Sequence, residues 1–218
     1  ETTMASSILT IHHITPELRK IERVVDEIRS GAVILYPSDT GFMLGCGLEN
    51  RDAISRIRNI RGLPEGKQMT FLCQSLSNVA EFAKVSNSAY KTIKRLIPGP
   101  YTFILPASKL VPKFAQDPKR KTSGIRVPEN ILSQLLLKTL GSPIISISAK
   151  NPEGGYYTDY EELLNYYSPM VDVAVRSDEY NFVGESTVID MTTDEFEIIR
   201  EGAGFERIAD ILQEEKED

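Results

Sequence analysis

Tryptophan is absent from this chain of 218 residues, which also contains only two cysteines and two histidines. Cys46 and Cys73 lie in apolar segments, a placement typical of buried free thiols in a reducing compartment, so we expect a cytoplasmic protein. His12 and His13 are adjacent, and with two cysteines they match no known metal-ligand spacing, so we expect no metal ligated by the protein itself. This scarcity also argues against Ser-His-Asp and Cys-His catalysis.

Long apolar segments are missing as well. None approaches the roughly 20 residues that a membrane-spanning helix requires, so we expect no membrane partner. The first ten residues lack the basic and apolar regions of a signal peptide, and we interpret the residues before Met4 as an expression remnant. With 41% hydrophobic and 26% charged residues, the composition is typical of a soluble globular protein.

The net charge of −6 is unevenly distributed. Residues 1–150 contain 21 Lys and Arg against 12 Asp and Glu, whereas residues 151–218 contain 4 against 19. From Lys84 to Arg126 there are ten basic residues and a single acid, Asp117. This excess indicates a positive surface for phosphates or nucleic acid, although solvated helix faces and loops have a similar composition.

Apolar periodicity predicts strands and helices that alternate to about residue 147, followed by a region richer in strands. This order indicates an α/β fold with a mixed sheet, and no linker divides the chain. We expect an N-terminal strand in residues 1–14, one domain in residues 15–205, and in residues 206–218 a short helix with a frayed acidic tail.

The segment Gly31–Gly47 combines two predicted strands with a polar turn. Ala32 to Leu35 is a short apolar run, and the following Tyr36-Pro37 ends it because proline has no N–H for the sheet. A second apolar run begins at Phe42. Between them stand three small polar residues, Ser38, Asp39 and Thr40. Such a turn leaves hydroxyls and backbone N–H groups at a sheet edge, where ligands commonly bind, although an ordinary turn has the same composition.

Similar combinations of a predicted strand end with polar side chains recur along the chain. They occur at Thr102 in PGPYT, Arg126 in GIRVP, Ser146-Ile147-Ser148, Ser186-Thr187 and Arg200 in IIREGAG. On an extended chain Ser146 and Ser148 point the same way, and the arginine fork suits a carboxylate or phosphate. Taken singly, each has a structural explanation. Together they predict a site for an anionic ligand, or for phosphoryl or nucleotidyl chemistry.

Six segments within about residues 15–205 resemble, in order and spacing, the YrdC-type threonylcarbamoyl-AMP synthase family: YPSDTGFMLGCG, PGPYTFIL, GIRVP, PIISISA, STVID and IIREGAG. The resemblance implies a single domain with a twisted, open, mixed sheet around a positively charged concave groove. Active members join L-threonine, bicarbonate and ATP, with Mg²⁺, into threonylcarbamoyl-AMP and pyrophosphate for a modified adenosine in tRNA. Some members were proposed to bind double-stranded RNA through the groove.

The resemblance also implies roles for individual residues. It assigns five to the threonine pocket: Ser38, Asp39, Thr40, Arg126 and Ser146. It assigns three to the nucleotide: Ser148, Ser186 and Arg200. It places three cations at catalytic positions: Arg61, Lys67 and Lys150.

Two positions depart from the pattern of the active members. Their Lys-x-Arg signature is Arg61-Gly62-Leu63 here, and their Ser-x-Asn is Ser148-Ala149-Lys150. Both changes resemble the YciO subgroup. We therefore expect a protein that binds nucleotide or RNA in a basic groove, with weak threonylcarbamoyl-AMP synthase activity. A non-catalytic RNA-binding protein and an enzyme that adenylates a different acid remain alternatives, and the oligomeric state is open.

Overall fold

The computed structural model describes residues 7–64 and 67–218. The residues that we interpret as an expression remnant lie outside this part of the chain. The glycines and proline at positions 62–66 predict a loop, and two of its residues also lie outside the described part. No helix within the described residues is long and apolar enough to cross a membrane.

The described chain forms a ten-stranded sheet with α-helices on both faces. The strands are β1 (Ser7–Ile11), β2 (Ile34–Pro37), β3 (Phe42–Gly47), β4 (Thr70–Leu72), β5 (Tyr101–Pro106), β6 (Thr122–Arg126), β7 (Ile144–Ser148), β8 (Val173–Ser177), β9 (Thr187–Asp190) and β10 (Glu197–Arg200). The helices are α1 (Leu18–Arg29), α2 (Arg51–Arg61), α3 (Leu76–Phe82), α4 (Asn87–Leu96), α5 (Ile131–Leu140), α6 (Tyr160–Tyr167) and α7 (Phe205–Glu217).

The strands follow the order β1-β8-β2-β3-β7-β4-β6-β5-β9-β10. Neighbours are parallel in four cases, such as β1 with β8 and β4 with β6, and antiparallel in the rest, such as β3 with β7. The predicted single α/β domain with a mixed sheet is therefore confirmed. Neighbours that are consecutive in the chain, such as β2 and β3, are antiparallel, whereas the parallel neighbours are separated by other strands and helices along the chain.

The apolar core lies on both faces of the sheet. Alternate residues of β2 enter different clusters: Leu35 packs with the cluster that contains α2, α4 and α7, whereas Ile34 packs with α1 and α5. A strand that is apolar at every position is expected where both faces are covered. Cys46 and Cys73 are buried free thiols, as predicted, and burial raises the pKa of Cys46 to about 12.

Local sequence signals set both ends of helix α2. The side chain of Asn50 accepts a hydrogen bond from the N–H of Ala53 at 3.0 Å, which caps the helix. Gly62 ends it in the left-handed conformation with φ of 59°. These two signals place Arg61 at the last position of the helix.

The C-terminal tail differs from the prediction of a short helix with a frayed end. Helix α7 continues to Glu217. Its acidic last turns are bound by α4: Thr92 donates to Glu215 at 2.7 Å, and Arg95 pairs with Glu214 at 2.6 Å. The prediction was wrong because it treated the acids as solvated, without partners from another helix.

Replacing Gly45 should test how tightly β3 is packed. A Cβ there would lie 2.8 Å from Ile144, 2.8 Å from Tyr36 and 2.9 Å from Ser146, all side-chain atoms. The last two share a buried hydrogen bond of 2.5 Å. We expect Gly45→Ala to lower the free energy of unfolding by about 1–3 kcal/mol, the usual cost of overpacking.

Gly47→Ala is the matched control in the same strand. The nearest atom to its added Cβ would be Ile28 Cγ2 at 3.6 Å, an ordinary contact. Urea unfolding of both variants measures the difference. Equal stability of the two variants would show that the strand can shift to accommodate the methyl group.

Candidate functional site

A cavity of about 180 Å³ lies over the half of the sheet that contains β7, β4, β6, β5, β9 and β10. Eight of the eleven predicted site residues line it: Thr40, Arg61, Lys67, Arg126, Ser148, Lys150, Ser186 and Arg200. They come from distant parts of the sequence, and the fold brings them together.

The strand register explains this convergence. Thr102 in β5 lies opposite Arg126 in β6 and pairs with Val188 in β9, which in turn pairs with Arg200 in β10. Directly paired residues point to the same face of a sheet, so these side chains project together. On the same face, Leu72 of β4 packs with α5. Within the described residues, β5, β6, β9 and β10 contribute nothing to that apolar cluster. One side chain from each of these strands lines the cavity: Thr102, Arg126, Val188 and Arg200.

The other three predicted residues lie next to the cavity rather than in its wall. Ser38 is buried; its hydroxyl donates to the carbonyl of Gly41 at 2.8 Å and accepts from the N–H of Thr40 at 3.2 Å. Ser146 is also buried, with its hydroxyl bonded to Tyr36. Their hydroxyls thus shape the turn and the strand beneath the cavity.

Asp39, the third, forms a buried ion pair with Arg126. Arg126 is 2% exposed and Asp39 is 4% exposed. One Arg126 nitrogen donates to Asp39 Oδ1, and another reaches the carbonyl of Gly99 at 3.3 Å. Asp39 Oδ2 accepts the N–H of Glu129 at 2.9 Å. Arg126 Nε is buried and has no hydrogen-bond partner among the described residues. A buried donor without a partner is costly, and a ligand oxygen would relieve that cost.

Four further cations surround the cavity. Arg61 donates to the carbonyl of Ser148, so the end of α2 is tied to the end of β7. Arg200 donates to the carbonyl of Ser186 at 2.8 Å and to its hydroxyl at 3.0 Å. Lys67 and Lys150 complete the group. The arrangement can neutralise several negative charges on a single ligand.

Among the wall residues that were not predicted from the sequence, Glu185 and Tyr156 contact two of the cations. Glu185 Oε1 lies 2.9 Å from Arg200 Nη1 and 3.8 Å from Lys150 Nζ. The hydroxyl of Tyr156 donates to the same oxygen at 2.8 Å, and its ring lies 5.4 Å from the Lys150 ammonium. Burial, followed by the Glu185 bond, raises the pKa of Tyr156 to about 12. The only available signal was position, since Glu185 directly precedes Ser186.

A larger depression of about 770 Å³ lies elsewhere, around Leu48 near the other end of β3. It includes Phe82 and Leu110 and none of the predicted site residues. We assign the smaller cavity as the candidate site because cations and hydroxyls converge there, which is the stronger indicator of a binding site.

One group of metal-ligating residue types occurs within the described residues: His12, His13 and Asp178. The Nδ1 atom of His12 accepts the N–H groups of Ile14 and Thr15 at 3.2 and 3.1 Å. The other ring nitrogen, Nε2, faces Asp178 at 3.4 Å. A hydrogen bond from His13 lowers the pKa of Asp178 to about 2. We interpret the group as a hydrogen-bonded link between β1 and β8 rather than a metal centre.

Comparison with known proteins places the chain among relatives. Residues 26–202 match the Sua5/YciO/YrdC family, described as "Telomere recombination". The uncharacterized protein YciO of Escherichia coli strain K12 is 40% identical over 203 residues, which cover 91% of this chain and 97% of YciO. The crystal structure of E. coli YciO superposes with a TM-score of 0.84 at 39% identity, covering 90% of this chain and 96% of that one.

More distant relatives carry names that describe an activity or a ligand. The threonylcarbamoyl-AMP synthase of Halorhodospira halophila is 27% identical over 157 residues, covering 72% of this chain and 82% of that protein. The crystal structure of P. abyssi Sua5 complexed with L-threonine has a TM-score of 0.82 at 26% identity, covering 90% of this chain and 58% of that one. Fold, motifs and relatives agree: the chain belongs to the Sua5/YciO/YrdC family and is similar to YciO along nearly its whole length.

Proposed function

We propose that this protein binds L-threonine and the phosphates of ATP in the cavity and forms threonylcarbamoyl-AMP at a low rate. The observation that carries the proposal is the convergence of buried Arg126 with four other cations around one cavity. The relatives named threonylcarbamoyl-AMP synthase and the Sua5 structure with L-threonine support the choice of substrates. The buried free thiols suit a reducing compartment, so we propose that the protein acts in the cytoplasm.

The threonine half of the site would be built around Arg126. Its Nε–H lacks a partner among the described residues, and a carboxylate is a strong acceptor for such a donor. Asp39 holds the guanidinium in place from the other side. Thr40 lines the same cavity and can bond the substrate through its hydroxyl.

The nucleotide half would be built around Arg61, Lys67, Lys150 and Arg200, with Ser148 and Ser186 beside the phosphates. Among the described lining residues Glu185 is the one carboxylate, and it is already paired with cations. This donor set fits phosphate oxygens better than a metal held by protein ligands. Mg²⁺ would therefore arrive bound to ATP, as is usual for this ion, and would help to neutralise its phosphates.

The reaction needs positioning and charge rather than a covalent intermediate. The threonine amine attacks the carbon of bicarbonate, water leaves, and a carbamate oxygen then displaces pyrophosphate from the α-phosphorus of ATP. Arg200 and Lys150 would stabilise the charge that develops on the leaving group. The structure offers no histidine for proton transfer in this cavity among the residues it describes.

The two departures from the active signature explain a low rate in this proposal. Leu63 is partly buried against the apolar core and does not belong to the described cavity wall, so no guanidinium extends from this position. Lys150 adds a point charge where an amide would present one donor and one acceptor. The positive charge of Lys150 is also partly neutralised by Glu185.

Binding of threonine should depend on the hydroxyl of Thr40. We expect Thr40→Val to raise the threonine dissociation constant roughly 5- to 10-fold, the effect of one lost hydrogen bond, and to leave ATP binding unchanged. Titration calorimetry measures both constants. Thr158→Val, an exposed threonine outside the cavity, is the matched control. Unchanged threonine affinity in Thr40→Val would remove Thr40 from the pocket.

Restoring the signature should raise the rate. We would combine Arg61→Lys with Leu63→Arg, make Lys150→Asn separately, and then join all three. Because a guanidinium can bridge two oxygens of the leaving pyrophosphate, we expect threonine-dependent pyrophosphate release to rise roughly 10- to 100-fold in the full combination. The effects should not add, since both changes act on one ligand.

Leu63→Met is the control, because it changes the packing at this position without adding a charge. If threonine binds but no variant gains rate, the altered signature is not the cause of the low rate. Absence of threonine binding would contradict the proposal and favour a different acid or a non-catalytic role.

RNA binding is the second candidate, and the exposed lysines on and around α4 and the β5–β6 loop favour it. Seven lysines of the basic segment are exposed and have no ion pair among the described residues: Lys84, Lys91, Lys94, Lys109, Lys113, Lys119 and Lys121. Within the basic segment Lys84–Arg126, the described residues that line the cavity are Thr102 and Arg126. An RNA would therefore use this surface beside the cavity rather than the cavity itself.

Such binding should weaken steeply with salt, because lysine contacts release counterions from phosphate. Filter binding of a double-stranded RNA at 50 and 200 mM salt would show a loss of roughly 10³-fold if about six phosphates are contacted. Replacing Lys119 and Lys121 with glutamine should reduce the slope. A dissociation constant that does not change with salt would rule out this electrostatic surface.

A further inference from the structure

We propose that Glu185 determines which anions enter the cavity, because its carboxylate already occupies the cation pair Lys150–Arg200 and a ligand must displace it. The inference rests on the proposed function, since it assigns that cation pair to phosphate groups. It adds a specificity-determining residue to the site.

The contacts of Glu185 resemble those of a bound anion. One oxygen, Oε1, faces Arg200 Nη1 at 2.9 Å, Lys150 Nζ at 3.8 Å and the hydroxyl of Tyr156 at 2.8 Å. The other oxygen has no hydrogen-bond partner among the described residues. A phosphate oxygen in the position of Oε1 would accept the hydrogen bond of Tyr156 and lie beside the same two cations.

The backbone and the side chain of Glu185 differ in how firmly they are held. The Glu185 carbonyl accepts the N–H of Ala203 at 2.8 Å, and the next residue, Ser186, forms a bridge with the same alanine. The side chain is 34% exposed and is held by the polar contacts described above. The carboxylate can therefore turn towards solvent while the strand stays in place, since surface ion pairs are individually weak.

Displacement favours ligands with several charges. A single phosphate would replace the Glu185 carboxylate at Lys150 and Arg200 by another anion, so its net gain in binding free energy is small. A polyphosphate would also reach Arg61 and Lys67, which line the same cavity and form no ion pair among the described residues. Glu185 thereby limits binding of single phosphates and carboxylates at these cations and favours di- and triphosphates.

The test measures binding of inorganic tripolyphosphate and orthophosphate by calorimetry, without divalent ions, in the wild type and three variants. We expect Glu185→Gln to lower the orthophosphate dissociation constant roughly tenfold and the tripolyphosphate constant only about twofold, because tripolyphosphate also binds Arg61 and Lys67 and depends less on the cations that Glu185 occupies. Tyr156→Phe keeps the ring over Lys150 but removes a hydroxyl that donates to Glu185 and, in this proposal, to a bound phosphate oxygen, so little change in either constant is expected. Glu153→Gln makes the same change of charge in the neighbouring exposed loop and should have no effect.

Equal constants for Glu185→Gln, Glu153→Gln and the wild type would overturn the inference, provided that thermal unfolding shows folded variants. A second arm uses ATP with Mg²⁺. If Glu185→Gln binds ATP more weakly only in the arm that contains Mg²⁺, Glu185 is a ligand of Mg²⁺. That result would also overturn the inference. If ATP binds the wild type but Glu185→Gln is unchanged, only this inference fails. If neither ATP nor tripolyphosphate binds any variant, the proposed function fails with it.

Discussion

The buried ion pair between Asp39 and Arg126 is the interaction on which the candidate site depends. Taking two charges out of water costs several kcal/mol each, so neither residue is tolerated there without the other and its hydrogen bonds. The pair fixes the turn after β2 to the end of β6, and Asp39 Oδ2 also receives the N–H of Glu129. Removing either partner would leave an uncompensated buried charge. Asp39 and the carbonyl of Gly99 hold the two terminal nitrogens of the guanidinium, and Nε is left without a partner among the described residues.

The position of the cavity follows from how the helices are distributed. Helices α1 and α5 cover one face of the sheet as far as β4, where Leu72 packs with them. On the same face, the neighbouring strands carry Arg126, Thr102 and Arg200, which contribute nothing to an apolar contact there. A sheet of ten strands is wider than these two helices can cover. The uncovered half can be polar, and the short side chains of threonine and serine leave room above it.

Much of the fold could be predicted because it depends on neighbours in sequence. The apolar runs of β2 and β3 are local signals, and the structure confirms them. The cap at Asn50 is equally local, because its side chain bonds a residue three positions further on. The network of Glu185 with Tyr156 and Lys150 could not be predicted in this way. Its members are 29 and 35 residues apart and meet only through the arrangement of β9 and the loop after β7. The acidic tail likewise becomes helical through contacts with a distant helix.

The distribution of charge along the sequence does not locate the cavity. The basic excess between Lys84 and Arg126 predicted a positive surface, yet the cations of the cavity, apart from Arg126, come from other segments: Arg61, Lys67, Lys150 and Arg200. Part of the basic segment is neutralised by acids from the C-terminal region, as Arg95 pairs with Glu214 and Arg120 with Asp190. Opposite charges that are far apart in sequence meet across the fold, so the field at a site depends on pairing. The same holds inside the cavity, where Glu185 is the acid that sets how much of the charge of Lys150 and Arg200 a ligand can use.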